Sequence, residues 1–185
     1  MSTMNKPAID RVYMDSCCFI EMAKRSIGKS NTSDSSKNDD VWFLRKICDA
    51  SLAGDIQVIT STLSLAECIH VGNGYIDNDA KVLFEKFLTS GKVVIPDDAD
   101  YFVAIAARDL YWSHGILLSG SDAIHVATAI LTDCREFITT DKRLSKQKFR
   151  DALEAMEKVN LRVVRASGTK LLPMKYRQGE MINDS

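Results

Sequence analysis

The sequence predicts an α/β protein whose mostly parallel sheet is covered by helices on both faces. Short runs of β-branched and aromatic residues alternate with longer segments whose apolar residues recur at helical spacing. Parallel strands need long crossover connections, usually helices, so this alternation favours a parallel sheet. With 185 residues, 45% of them hydrophobic and 26% charged, the chain has the size and composition of one globular domain.

Five short runs predict the strands, because β-branched and aromatic residues suit a pleated, half-buried surface. In chain order the runs are 11–14, 56–60, 92–96, 136–140 and 161–164. Asp15 directly follows the first strand and Asp141 the fourth. Both acids therefore stand at carboxyl ends of strands, where open α/β sheets bind their ligands.

The segments between the strands have helical spacing. Ser16 is placed to cap the first helix, Ser61 or Thr62 the third, and Ser119 or Ser121 the sixth. Six of the predicted helices cover 17–25, 41–52, 77–88, 97–114, 119–131 and 146–158, and a further one follows residues 61–62.

Three acids, Asp97, Asp98 and Asp100, open the predicted helix over 97–114. Carboxylates suit the positive end of a helix dipole, and this structural interpretation is favoured over a role in a site. Within the same helix we expect Phe102 and Leu110 to face the core.

Two segments carry no strong signal. Residues 28–40 contain no large apolar side chain, which predicts a flexible loop too polar to join the core. We expect one domain over residues 8–165, followed by a partly disordered C-terminal tail over 166–185.

The net charge of -1 conceals an asymmetry. Residues 142–177 hold eleven Lys/Arg and three Asp/Glu, a balance of +8, so the remainder carries -9. A basic segment of this kind either contacts a phosphate backbone or is a solvated helix and tail, and the sequence leaves both open.

Five cysteines make an odd number without a C-x-x-C spacing, which argues against a disulfide framework or a zinc site. Most are expected to be small buried side chains. No apolar run reaches the roughly 18 residues of a membrane span, and no signal peptide is recognisable, so we expect a cytoplasmic protein.

Four acids share one description: each stands at the end of a strand or on the apolar face of a helix. Asp15 and Asp141 follow strands, Glu67 lies among apolar residues of the third helix, and Asp122 lies in line with Val126 on the sixth. Asp15 could instead only cap its helix, and Glu67 could form a surface salt bridge. Gathered by folding, the four would repel one another unless a cation such as Mg²⁺ or Mn²⁺ neutralised them.

The order and setting of these acids resemble the PIN-domain nucleases, in particular the VapC-type ribonuclease toxins of toxin-antitoxin modules. The matching segments are 12–16 (VYMDS), 65–67 (LAE), 121–129 (SDAIHVATA) and 138–141 (ITTD). The resemblance implies a three-layer α/β/α sandwich and metal-dependent hydrolysis of RNA phosphodiester bonds. It also implies an antitoxin and a second copy of the chain as partners.

In such a nuclease Asp15, Glu67, Asp122 and Asp141 would form the catalytic and metal-binding site. Ser16 and Thr140 would support them. His125 could act as a general base, but its place three residues after Asp122 favours a packed, hydrogen-bonded histidine.

A second hypothesis is a non-catalytic PIN-like module that binds nucleic acid or protein through the basic segment 142–177. A phosphatase or phosphotransferase of another α/β fold is disfavoured. Residues 15–17 (DSC) lack an Asp-x-Asp pair, and no glycine-rich phosphate loop is present.

Overall fold

A computed structural model describes residues 9–28, 35–71, 76, 78–157 and 159–178, with only the backbone described at 35–39. Its five strands form one sheet in the order β3-β2-β1-β4-β5, and all neighbouring strands are parallel. The strands are β1 (Arg11–Met14), β2 (Gln57–Ser61), β3 (Ile95–Asp97), β4 (Glu136–Ile138) and β5 (Arg162–Val164). The predicted parallel sheet is confirmed.

Helices connect consecutive strands and follow the last one. Within the described residues they are α1 (Ser16–Ser26), α2 (Ser35–Leu52), α3 (Leu63–Glu67), α4 (Asn78–Phe84), α5 (Tyr101–Trp112), α6 (Gly120–Leu131), α7 (Gln147–Glu154) and α8 (Met174–Arg177). A π-helical turn (Glu85–Thr89) continues α4, and a 3₁₀ turn (Ala166–Gly168) precedes α8. No helix in this described part of the chain is long and apolar enough to cross a membrane.

The sheet separates two hydrophobic cores, because successive strand residues point to opposite faces. Val12 and Met14 of β1 belong to the core formed with α1, α2 and α4. Tyr13, between them, belongs to the core that includes side chains of α5, α6 and α7. The molecule is therefore the expected three-layer α/β/α sandwich.

The strand order reverses at β1, which occupies the centre of the sheet. The chain builds β2 and β3 on one side and then returns to add β4 and β5 on the other. Met14 and Ile138 are paired across β1 and β4, and the Asp15 N–H donates to the Ile138 carbonyl at 3.1 Å. The residues that follow these two strands consequently meet at the topological switch point, the usual ligand crevice of such a sheet.

The predicted loop over 28–40 is wrong over its second half. Helix α2 begins at Ser35, and Asp40 is only 2% exposed. Its carboxylate accepts a 2.6 Å hydrogen bond from Arg165 Nε and a 2.7 Å bond from Ser167 Oγ. A partner 125 residues away, which periodicity cannot detect, makes burial of this acid possible. Residues 29–34 lie outside the described residues.

The described part of the predicted tail, 166–178, is folded against the domain. Leu172 is buried, α8 packs against α2, and the Tyr176 hydroxyl donates a 2.6 Å hydrogen bond to Asp55. Its sequence signals are weak because α8 has only four residues. Residues 179–185 lie outside the described residues.

The predicted inward orientation of Phe102 is also wrong, since its side chain is 70% exposed. Asp100 caps α5 by accepting a hydrogen bond from the Val103 N–H at 3.0 Å, which confirms the structural interpretation of that acid. With the helix beginning there, Val103 and Leu110 share the buried face and Phe102 lies about 80–100° away from them.

Replacing Asp40 with alanine should lower the free energy of unfolding by about 2–3 kcal/mol, because Arg165 and Ser167 lose a buried charged acceptor. Asp49→Ala, an exposed acid on the same helix, is the matched control and should change it by about 0.5 kcal/mol or less. Urea unfolding followed by circular dichroism measures both. Equal stability of the two variants would contradict a structural role for the buried Asp40.

Candidate active site

Asp15 holds its carboxylate at the carboxyl edge of the sheet and is only 6% exposed. Its Oδ2 accepts hydrogen bonds from Thr139 Oγ1 at 2.8 Å and from Cys17 Sγ at 3.1 Å. Asp15 occupies the N-cap position of α1, but its side chain makes no capping hydrogen bond. The alternative that Asp15 only caps the helix is therefore wrong, and its carboxylate faces the switch point.

Glu67, the last residue of α3, shares a neighbour with Asp15, the side chain of His125. The imidazole Nε2 is 2.7 Å from Glu67 Oε2 and 3.9 Å from Asp15 Oδ1. The hydrogen bond to His125 is the largest cause holding the pKa of Glu67 below its ordinary value, with smaller contributions from Ser16 and Ser121. The alternative of a surface salt bridge is wrong, because the partner of Glu67 is a buried histidine.

His125 is 1% exposed, as expected for a packed, hydrogen-bonded histidine. Its Nδ1 lies 2.6 Å from the Tyr13 hydroxyl, and that hydroxyl accepts a 2.8 Å hydrogen bond from the Ser61 N–H. Burial raises the pKa of Tyr13 well above its ordinary value, so the phenol keeps its proton. A phenol that keeps its proton can donate it to Nδ1. In that arrangement the remaining imidazole proton is on Nε2, facing Glu67.

Asp122 and Asp141 meet at a different side chain, the guanidinium of Arg143. Arg143 Nη2 lies 2.7 Å from Asp141 Oδ2 and 3.7 Å from Asp122 Oδ2. The hydrogen bond from Arg143 is the main cause that lowers the pKa of Asp141. Of the two predicted caps, Ser119 and Ser121, the structure selects Ser119, whose hydroxyl accepts a hydrogen bond from the Asp122 N–H at 3.3 Å. Asp122 is thereby held in the first turn of α6.

Thr139 joins the two halves of this site. Its hydroxyl donates to Asp15 and accepts a 3.0 Å hydrogen bond from the Asp141 N–H. The hydrogen bond to Asp141 is the largest cause that raises the pKa of Arg143, and the charges of Asp141, Asp122 and Asp15 raise it further. The structure therefore brings the four predicted acids to one edge of the sheet, as the pair of Asp15 with Glu67 and the pair of Asp122 with Asp141.

The two predicted supporting residues contribute in different ways. The Ser16 hydroxyl lies 3.4 Å from Asp15 Oδ1 and helps to lower the pKa of Glu67. Thr140 contributes its backbone N–H, which donates to Cys17 Sγ at 3.2 Å. The hydroxyl that is hydrogen-bonded to the Asp15 carboxylate and to the Asp141 N–H belongs to Thr139 instead, because residue 139 faces the site at the end of the extended chain.

Sequence reasoning missed four neighbours of the acids. The period of two along a strand could have found Tyr13, two residues before Asp15, and Thr139, two residues before Asp141. Cys17 is half-buried at the site, whereas the other cysteines are buried as expected. Arg143 follows the fourth predicted strand, and no periodic pattern marks it.

The side chains present are suited to a hard divalent cation. Among the described residues, Asp15, Glu67 and His125 offer ligand atoms that all lie within 4.8 Å of one another. Carboxylate oxygens are the ligands that Mg²⁺ and Mn²⁺ prefer. In the tautomer above, the Nε2 of His125 carries a proton, so this residue orients Glu67 while the carboxylates supply the oxygen atoms.

Comparison with known families agrees with this architecture. The sequence model of the PIN domain matches residues 41–150, and the chain therefore belongs to the PIN domain family. The match contains Glu67, Asp122 and Asp141 but begins after Asp15. It is the pairing of β1 with β4 that adds Asp15 to the other three.

Solved structures resemble the fold at low sequence identity. One is a chain of VapBC2 from Rickettsia felis bound to a promoter DNA fragment, 12% identical with a TM-score of 0.52, covering 84% of this chain and 98% of its own. Another is a chain of FitAcB from Neisseria gonorrhoeae, 15% identical with a TM-score of 0.48, covering 85% of this chain and 99% of its own. A search of curated proteins finds no match.

Replacing Tyr13 with phenylalanine should lower the free energy of unfolding by about 1–3 kcal/mol, because the buried Ser61 N–H and His125 Nδ1 lose their partner. Tyr101→Phe is the control, since Tyr101 is 73% exposed and its change should be small. Urea unfolding measures both variants. If Tyr13→Phe were as stable as the parent, the assigned hydrogen-bond chain to Glu67 would be incorrect.

Proposed function

We propose that this PIN-domain protein is a Mg²⁺- or Mn²⁺-dependent endoribonuclease that hydrolyses RNA phosphodiester bonds. One observation carries the proposal: Asp15, Glu67, Asp122 and Asp141, distant in sequence, share one edge of the sheet at its switch point. Crowded carboxylates repel one another, and stability alone gives no reason to gather them. A site of this kind suits a cation and a substrate that the cation helps to bind.

The proposed metal ligands are the four acids. A bound Mg²⁺ or Mn²⁺ would lower the pKa of a water molecule and stabilise negative charge on a phosphoryl oxygen. The protein's own groups keep the ligands in place. Thr139 and Cys17 hold the Asp15 carboxylate by hydrogen bonds. His125 orients Glu67 by donating the Nε2 proton, while its Nδ1 accepts the proton of Tyr13.

Arg143 has a different role in this proposal. Its side chain is 68% exposed, so its guanidinium can turn from Asp122 and Asp141 toward solvent at little cost. A guanidinium at this position can pair with a phosphate of the RNA, for which its planar set of N–H donors is suited. A metal ion can then replace the guanidinium as the positive charge between the two acids, while Arg143 contacts the substrate.

Cleavage of a labelled single-stranded RNA by the purified protein should require added Mg²⁺ or Mn²⁺ and stop with EDTA. Asp15→Asn and Asp122→Asn should each reduce the rate by about 100-fold or more, since each removes a charge from the site. Gel analysis of the products measures the rate, and thermal unfolding shows that the variants are folded. Asp49→Asn, an exposed acid on α2, should cleave like the parent.

Equal cleavage by the parent, Asp15→Asn and Asp122→Asn, or cleavage that persists in EDTA, would remove the nuclease proposal. RNA binding without cleavage would favour the non-catalytic binding module. One observation supports that alternative: the Arg143 guanidinium lies beside both Asp122 and Asp141 and offsets part of their negative charge.

We further propose that the protein is the toxin of a toxin-antitoxin module and forms a homodimer. The fold similarity to a chain of VapBC2 supports the first part. Exposed aromatic side chains on α5, Tyr101, Phe102 and Trp112, offer a surface for a second copy or an antitoxin.

Induced expression in bacteria should arrest growth, because cleavage of cellular RNA stops protein synthesis, and Asp15→Asn should abolish the arrest. Co-expression of a small DNA-binding protein from the adjacent reading frame should restore growth, and viable counts measure each effect. Undiminished growth with the active protein present would contradict the toxin role. Light scattering that gives only the chain mass of 20.6 kDa would contradict the dimer.

A further inference from the structure

A cavity of about 430 Å³ opens beside the acidic site, between the segment before α6 and the start of α7. It shares Asp122 and Arg143 with the site, so its occupant would lie next to the four acids. The volume lies within the range of about 300–1,000 Å³ of pockets that bind small molecules. The cavity is therefore large enough for one group of the substrate beside the reacting bond.

The walls of the cavity combine two chemistries. Ile116, Leu118 and Phe149 supply apolar surface, and Phe149 supplies an aromatic ring. Lys146 and Lys148 supply positive charge, whereas Asp122, the one acid on the lining, is already beside Arg143. An apolar wall with an aromatic ring suits the face of a nucleobase, and the lysines suit the phosphates on either side of it.

The cations of the basic segment 142–177 have different places in the structure: some form ion pairs with acids of the domain, and others line this cavity. Arg162 pairs with Glu136, Arg165 with Asp40 and Lys175 with Asp55. These three cations fasten the end of the chain to its acidic body. In contrast, Lys146 and Lys148 are exposed, and no acid lies in the first turn of α7. Their charge faces the opening of the cavity.

We propose that this cavity binds one unstacked nucleotide of single-stranded RNA, next to the bond that is cut, with its base on Phe149 and its phosphates at Lys146 and Lys148. The proposal rests on the proposed nuclease function and adds a subsite for one nucleotide of the substrate. A base can enter such a cavity only after it leaves the stack, which is least costly in a single strand. Duplex RNA should therefore be a poor substrate.

Binding separates this inference from catalysis. Fluorescence anisotropy of a short labelled RNA of mixed sequence, single-stranded or paired with its complement, is measured in the Asp15→Asn background, where cleavage is expected to be about 100-fold slower or more. The single strand should bind more tightly than the duplex. Adding Lys146→Gln and Lys148→Gln together should weaken binding of the single strand about 10-fold and reduce its logarithmic salt slope by about 1.4, because two phosphate contacts are lost.

Phe149→Leu keeps an apolar side chain against the core but removes the aromatic ring. It should weaken binding of the single strand about 5-fold or more and leave duplex binding unchanged. The matched control is Lys81→Gln, an exposed lysine of α4 on the opposite face of the sheet, which should change neither. Thermal unfolding confirms that every variant is folded, and the lysine pair provides a test even if Phe149→Leu is not.

If the lysine and phenylalanine variants bind the single strand like their parent, the inference is overturned; that result is also expected if a polypeptide occupies the cavity. The nuclease proposal then stands or falls separately on metal-dependent cleavage by the protein with Asp15 intact. Loss of single-strand binding in these variants supports the cavity as the RNA site even if no cleavage is found.

Discussion

Parallel pairing of β1 with β4 is the constraint on which the site depends. It places the residues after the two strands side by side, so that Thr139 reaches the carboxylate of Asp15 while accepting the N–H of Asp141. These residues are more than 120 positions apart along the chain. Because β1 is the central strand, β2 also lies beside it and carries Ser61 and the helix of Glu67 to the same edge. The fold therefore gathers the acids as a consequence of strand order.

The protein compensates the crowding of these acids with two groups of its own. His125, buried and fixed by Tyr13, neighbours Asp15 and Glu67, and the exposed Arg143 neighbours Asp122 and Asp141. The difference in exposure matters for function. A buried imidazole held on both nitrogens keeps one orientation, whereas a guanidinium on a long exposed side chain can exchange its partners. One half of the site is thus rigid, and in the other half Arg143 can change its position.

The excess of positive charge in residues 142–177 serves two purposes, because some of its cations pair with buried acids and others line the cavity. Buried Asp40 and Glu136 are bound by Arg165 and Arg162, so the basic C-terminal segment closes over acids of the body. Two of the eleven cations of residues 142–177 are held in these contacts, so the basic segment is not simply a solvated tail. The lysines at the start of α7 are the part that faces the cavity beside the acids.

The sequence by itself determined the α/β class, the order of the elements and the four acids at their ends, because periodicity and turn residues are local signals. It also favoured a packed His125 and placed Asp100 at the start of a helix. Only the tertiary structure decided the partners of these residues: Tyr13 for His125, Thr139 for Asp15, Arg143 for Asp141 and Arg165 for Asp40. It also decided that the polar residues from 35 to 40 continue a helix and that Phe102 faces outward. The reason is physical, since burial of a charge depends on which group the fold brings opposite it, and three of these four contacts join residues more than 100 positions apart.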